Sequence, residues 1–279
     1  MKILNIIIPN RMIGNRLDSS LSEMLPDYSR SKITAWIKSG DALINQMTFK
    51  PKDKVNGNEV VCLTLNQKQS NNWIAEKIPL NIVYEDEDII VINKRFGLVT
   101  HPGAGNWSGT LANALLYYDS SLSILDRAGI VHRLDKNTSG LMVVARNEKS
   151  QKYLIEQLQN HSIEREYSSI VYGHMIAGGA VDEPIGRDPK DRVKQAVLIN
   201  GKEAVTHFRV IDRFKSHTHV KAILETGRTH QIRVHLSHVG HPLVGDPVYG
   251  GRVRFPKKAS VELKEALINF KRQALHSKK

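Results

Sequence analysis

A single cysteine among 279 residues, Cys62, can neither close an internal disulfide nor supply a four-cysteine zinc site. Such a chain fits a reducing compartment, and a cytoplasmic location is expected. No uninterrupted apolar run approaches the ~20 residues that cross a bilayer. The opening MKILNIIIPNRMIGN interrupts its short apolar stretch with Asn5 and Pro9 and has no small-residue cleavage site behind it. It reads as a first strand rather than a signal peptide, and no membrane span is expected. Acidic residues are in deficit, 28 against 40 basic, which leaves a net charge of +12 and a pI near 9.7. A polyanionic partner is expected, although a basic surface also serves solubility, so charge needs a motif beside it. The excess lies towards the ends, with ten basic against six acidic residues in 1–74 and nine against two in 252–279.

Other signatures are missing too. No GxxxxGK[ST] phosphate loop and no G-x-S-x-G nucleophile turn occur, which argues against an NTPase or a serine esterase. Gly103-Ala104-Gly105-Asn106-Trp107-Ser108-Gly109 places its third glycine one position too late for a dinucleotide-binding turn. No internal repeat appears at a solenoid period.

The length suits one large domain or a medium domain plus a small one. Leu17, Leu21, Met24 and Leu25 form the apolar stripe of a helix ending before Pro26. A second short helix follows, with Ser29 as its N-cap, Ile33, Trp36 and Ile37 on one face, and Gly40 at its end. Short strands with turns at Pro51 and Asn56-Gly57 complete a basic module. The polar run NQKQSNNW, residues 66–73, reads as a linker, which gives a small domain over 1–75, a linker over 66–76 and a second domain over 77–279. In the second domain strands come in runs (IVYEDEDIIVINK, LMVVARN, EYSSIVYGHM, EAVTHFRVID, HVKAILETG). The helices are fewer (LANALLYY, KSQKYLIEQLQN, VELKEALINFKRQA). This favours an α+β domain over a doubly wound parallel sheet.

Residues 129–146, GIVHRLDKNTSGLMVVAR, read as an apolar strand, a polar loop from His132 to Gly140, and a second apolar strand. Asp135 is thereby held between two strands, with Arg133 and Lys136 favouring its ionised form. A loop aspartate is also a common turn-former, and composition alone leaves both readings open. His230, His235, His238 and His241, with Asp246 nearby, have spacings compatible with zinc. Arg228 and Arg233 are interleaved with them, which favours polar packing or RNA contact over a metal.

His132-Arg133-Leu134-Asp135 followed by Thr138-Ser139-Gly140-Leu141 resembles the signature of the RluA-type pseudouridine synthases. Further blocks agree in order: Arg165-Glu166-Tyr167, then Glu225-Thr226-Gly227-Arg228-Thr229-His230-Gln231-Ile232-Arg233, then His238 to Gly250. The first 75 residues resemble the S4 RNA-binding domain, from Arg16-Leu17-Asp18 through Ser29-Arg30-Ser31 to Ile44-Asn45, with Gln46 where that family has a glycine. The resemblance implies an S4-like module followed by a catalytic domain built on a mainly antiparallel mixed sheet flanked by helices. It implies isomerisation of uridine to pseudouridine in 23S large-subunit ribosomal RNA or its precursor, by a monomer that needs no cofactor and no metal. Asp135 is then the essential aspartate, Arg228 the arginine that pairs with it, and Tyr167 the tyrosine against the base. Arg133 fills the space of the flipped uridine. His132 and Arg233 join it in contacting RNA, as do Arg16, Arg30, Lys32 and Lys38 of the S4-like module.

Two departures from that pattern stand out. Lys94-Arg95-Phe96-Gly97 replaces the usual Lys-Pro before glycine, so the loop there is expected to start differently. The chain stops at RQALHSKK, where related sequences add another strand and a closing segment, so a shortened C-terminus, an unpaired sheet edge and lowered stability are expected. Two other functional classes compete: a catalytically inactive RNA-binding assembly factor of the same fold, and a metal-dependent hydrolase built on the histidine cluster.

Overall fold

The computed structural model describes every residue except 1, 27, 29, 66–72, 104 and 192. The chain divides into two compact units, Met1–Lys68 and Gln69–Lys279.

In the first unit β1 (Lys2–Ile7) is followed by α1 (Leu17–Met24), α2 (Arg30–Ser39), β2 (Ala42–Ile44) and β3 (Val60–Leu65). The strands form an antiparallel sheet in the order β1-β3-β2. Leu17, Leu21 and Leu25 recur every four residues along α1 and are buried together with Ile33 and Ile37 of α2 against Ile44, Val61 and Leu63. The Ser29 cap expected for α2 lies outside the described residues; Gly40 closes that helix at φ +78°. Asn45 and Gln46 both adopt positive φ (46° and 66°) in a two-residue hairpin in which Ile44 and Met47 exchange both backbone hydrogen bonds at 2.9 Å. The turn is therefore the left-handed kind that favours glycine, with Gln46 in the glycine position.

The second unit is built on one eight-stranded sheet. Its strands are β4 (Ile82–Glu85), β5 (Ile89–Lys94), β6 (Ser139–Ala145), β7 (Glu166–Tyr172), β8 (Gly179–Asp182), β11 (Val205–Arg213), β12 (His217–Leu224) and β13 (Leu275–Ser277). They lie in the order β4-β5-β6-β13-β7-β12-β11-β8. Every pairing is antiparallel except β6 with β13. A separate hairpin joins β9 (Ile185–Arg187) to β10 (Gln195–Val197). The helices are α3 (Leu111–Tyr118), α4 (Glu148–Gln159), α5 (Gln231–His238) and α6 (Val261–Asn269). Thr110 and Asn113 close a reciprocal capping box on α3, and its buried Leu111 and Leu115 join Ile90, Ile92, Met142, Val144 and Val171 in the main core. Among the described residues no helix is long and apolar enough to cross a membrane.

Several expectations change. Glu76, the expected boundary, already belongs to the second unit: its N–H donates to Asn113 O, and its carboxylate accepts from Gly109 N–H. Residues 129–131 make no strand; Ile130 forms one isolated bridge with Val144, because left-handed residues at 127–129 keep the preceding chain from running extended. The helix expected over 261–274 stops at Asn269, and the chain turns into β13. That strand fills the position between β6 and β7, so the sheet is continuous there and its edges are β4 and β8.

The join is tight at Gly140, where φ is +118° and an added Cβ would stand 2.2 Å from Ser277 O. Gly140→Ala is expected to cost at least about 2 kcal/mol by strain and by pushing β13 off the sheet. Urea unfolding of the two proteins checks this, and an unchanged midpoint would refute the packing argument.

Candidate active site

A cavity of about 570 Å³ in the second unit is walled by α4, by His101 and, chiefly, by three further segments. These are residues 130–138 ahead of β6, Arg165 and Tyr167 at the start of β7, and residues 224–233 leading from β12 into α5. Asp135 stands in the first of them, and that segment is tied down by backbone acceptors. Thr138 N–H donates to Asp135 O at 3.0 Å, and Thr100 Oγ1 donates to Leu134 O at 2.8 Å. Lys136 O receives both Gly97 N–H at 2.8 Å and Lys94 Nζ at 3.2 Å.

Lys94 follows Ile90 and Ile92 on the inward face of β5 and is 1% exposed. Its ammonium also donates to Arg95 O and Leu98 O, at 3.0 and 2.9 Å, so all three donors end on carbonyls. Burial pushes its pKa down to about 8, with the charge of Asp135 acting in the opposite direction. Gly97, at φ +83°, turns the chain back after this clamp.

The Asp135 carboxylate is held by Arg233. Arg233 Nη1 donates to Asp135 Oδ2 at 2.8 Å, while its Nε and Nη2 grip Asp246 at 2.7 and 3.0 Å. The arginine side chain is 5% exposed and that of Asp246 is fully buried. Burial opposes the guanidinium charge, but the two carboxylates outweigh it and raise the Arg233 pKa. Burial likewise opposes the Asp246 charge. Arg233 and the N–H groups of Val248 and Tyr249 outweigh that and hold its pKa low. The Tyr249 ring lies 4.9 Å from the Arg233 guanidinium carbon. Among the described residues nothing donates to Asp135 Oδ1, so one oxygen is oriented by Arg233 and the other is unengaged beside the cavity.

This arrangement corrects two sequence expectations. Arg228, expected to pair with Asp135, is exposed at the cavity, and its Nε donates to Glu203 O at 2.9 Å. Arg233, expected to contact RNA, is the actual partner of the aspartate; one turn into α5 it projects inward, and all its bonds go to buried carboxylates. His132 is also reassigned. Its Nε2 accepts from Val143 N–H at 3.1 Å, and burial, with Arg165 nearby, pushes its pKa down to about 4. Burial thus favours the neutral ring in the wall of the cavity.

Tyr167 is buried in the cavity lining, and burial raises its pKa. Arg133 is exposed at the same cavity. In the first unit Arg16 and Arg30 both pair with the buried Asp18, at 3.0 and 3.2 Å. Lys32 lies over the rings of Tyr28 and Trp36, and Lys38 is exposed. The histidine cluster is dispersed among separate partners: His235 bonds Thr206 Oγ1 and Glu183 O, and His241 bonds Tyr172 O. Among the described residues no three His, Cys, Asp or Glu side chains are placed to hold a metal.

Comparison with known proteins decides the family. A model described as RNA pseudouridylate synthase matches residues 88–238, more than half of the chain. The chain belongs to the RNA pseudouridylate synthase family. Among the curated members of that family it is 53% identical, over 275 residues, to ribosomal large subunit pseudouridine synthase D of Escherichia coli strain K12. The alignment covers 98% of this chain and 84% of that protein. The protein of the same name from Xanthomonas campestris pv. campestris is 49% identical over 271 residues, covering 97% and 82%. Among solved pseudouridylate synthases, human RNA pseudouridylate synthase domain containing 1 superposes with a TM-score of 0.56 at 25% identity. That match covers 73% of this chain and 78% of the human one.

Lys94 and Arg165 are parts of this site that the sequence does not mark as such. Lys94 was detectable as the lysine in phase with Ile90 and Ile92 along β5. Arg165, whose Nη2 donates to Glu225 O at 2.6 Å, lay within a recognised block.

The low pKa of His132 has a measurable consequence. Because its folded pKa lies below the unfolded value near 6.5, the unfolded chain takes up the proton first as pH falls from about 6.5 to 4. The His132 contribution is thus fully present above that window and is lost through it. His132→Gln, which keeps an acceptor but cannot be protonated, is expected to flatten the fall in unfolding free energy between pH 7 and 4.5. Equal slopes for the two proteins would contradict the assignment.

Proposed function

We propose that this protein isomerises uridine to pseudouridine in 23S large-subunit ribosomal RNA or its precursor, with Asp135 as the essential group. The observation that carries the reading is a carboxylate with one oxygen fixed by a buried arginine and the other unengaged beside a cavity, in a chain of this family. The reaction breaks the N-glycosidic bond, turns the uracil and rejoins it through C5. The unengaged oxygen of Asp135 suits attack at C1′, addition at C6 or removal of the C2′ proton alike, because all three need a carboxylate held ionised at one place. The paired arginine meets that need.

A stacked uridine does not reach a carboxylate recessed in a cavity, so the base must be flipped out, at a cost of roughly a few kcal/mol. Arg133, exposed at the rim, is our candidate for the group that fills the vacated space, since a guanidinium plane both stacks on bases and bonds phosphate. Tyr167 is the surface against which the uracil packs. We assign the first unit, as an S4-like domain, to sequence-independent RNA affinity. In support, Asp18 braces Arg16 and Arg30 together, and Lys32 and Lys38 follow on α2. The protein acts as a cytoplasmic monomer and needs no cofactor in this scheme. The inactive binding-factor alternative gains nothing from a site in which Asp135, Arg233 and Tyr167 are all in place.

Tritium release from C5-tritiated uridine in large-subunit ribosomal RNA tests the reading. Asp135→Asn is expected to abolish release. Arg233→Lys, which loses the fork to Asp246, is expected to lower the rate by about 100-fold or more, and Arg228→Lys by less than about tenfold. Turnover by the Asp135→Asn protein would refute the assignment. A greater loss in Arg228→Lys than in Arg233→Lys would refute the pairing.

A further inference from the structure

Three polar contacts in a row lead from the β9–β10 hairpin to the cavity. Gln195 N–H, at the start of β10, donates to the Tyr249 hydroxyl at 2.9 Å. That hydroxyl and His230 Nδ1 are 2.8 Å apart. On the far side of the same ring, His230 Nε2 lies 3.9 Å from Asp135 Oδ2.

The directions of these contacts follow from what each group can do. A backbone N–H only donates, so the Tyr249 oxygen accepts from Gln195. The phenol proton must then find an acceptor of its own, and among the described residues His230 Nδ1 is the one at hydrogen-bond distance. An Nδ1 that accepts carries no proton, which puts the proton of the neutral ring on Nε2, towards Asp135. Burial lowers the His230 pKa and so favours the neutral ring, although the charge of Asp135 acts in the opposite direction. At 3.9 Å, Nε2–H is too far from the carboxylate for a hydrogen bond, and both face the cavity that receives the substrate.

The backbone supports the same placement. His230 sits at φ +59°, an unfavourable region for a residue with a side chain, immediately before α5. Gln231 holds it there from the next position. Its Oε1 accepts from Thr226 Oγ1 and Arg228 N–H, while its Nε2 donates to Val205 O and Thr206 Oγ1. The strain is therefore maintained by four bonds to a buried amide, and its effect is to turn the imidazole towards Asp135.

We propose that His230 touches the substrate, donating its Nε2–H to an oxygen of the flipped uridine beside Asp135, and that Tyr249, anchored by Gln195 of the hairpin, is a positioning residue that fixes the tautomer. The opposite tautomer would present a lone pair towards the carboxylate and offer the nucleotide no donor. The proposal rests on the reading that this cavity holds the target uridine.

Two measurements on the full chain test it. Long-range ¹H–¹⁵N spectra of histidine-labelled protein, with His230 assigned by its loss in His230→Gln, should show the Nε2–H tautomer, and Tyr249→Phe should shift it towards Nδ1–H. An Nδ1–H ring in the unsubstituted protein would overturn the proposal. In single-turnover tritium release, His230→Leu should slow the reaction by about tenfold or more with RNA Kd unchanged. His230→Gln, whose amide N–H can replace Nε2–H, should recover most of the rate, and Tyr249→Phe should fall between. Full activity in His230→Leu, or His230→Gln as slow as His230→Leu, would also overturn it. Should His230→Leu fail to fold, the spectra and the other two variants still decide. Asp135→Asn is run alongside: if it turns over, the reading of the cavity fails, whereas an inert Asp135→Asn beside a fully active His230→Leu removes only the role of His230.

Discussion

The second unit depends above all on one guanidinium. Arg233 lies between two carboxylates that come from distant parts of the chain, and each of its bonding edges is used. Burying such a cluster is costly, since ions lose hydration that their mutual attraction repays only when hydrogen bonding is complete. Completion here falls to Asp246, which takes the fork of the arginine on one side and two backbone N–H groups on the other. The Tyr249 ring covers the cation. Asp135 alone keeps an unengaged oxygen, so the incompleteness of the cluster is confined to one atom beside the cavity.

The loop carrying Asp135 is held from beneath by a second buried cation. Lys94 and Gly97 both donate to Lys136 O, the carbonyl immediately after the aspartate, so the end of β5 fixes the backbone while Arg233 fixes the side chain. Neither cation touches the other's target. A carboxylate positioned from two independent directions has little freedom to rotate away from the cavity.

Much of this was legible in the sequence. The α+β character, the runs of strands in the second unit and helix α3 all follow from periodicity and turn chemistry, and Asp135 stands out through the family-like string His132-Arg133-Leu134-Asp135, since its place in a polar loop fits a turn-former as well. The choice between Arg228 and Arg233 was not legible, because the two are five residues apart and nothing in the string shows where the helix begins. The structure starts α5 at Gln231, which leaves Arg228 on an exposed turn and sends Arg233 into the interior. The strand expected at 129–131 failed for a related reason: an apolar triplet reads as a strand, but left-handed residues just before it reduce the pairing to one bridge. The place of β13 was beyond local reading altogether, since a three-residue strand has no periodicity to detect and its partners lie far away along the chain.

That distance matters for how the molecule is made. Among the described residues β13 is the sole strand joining β4-β5-β6 to β7-β12-β11-β8, and its His276 meets Ser139 across 137 positions of sequence. The first group of strands carries the loop of Asp135, and the second carries Tyr167 and leads on to Arg233, so the site lies across the seam that β13 closes. Closing so long a loop is among the slow steps of folding, and it must wait until residues 275–277 have left the ribosome. The pairing of the carboxylate with its arginine is thus tied to a contact between segments far apart in sequence, which puts the site among the last parts of the fold to become rigid.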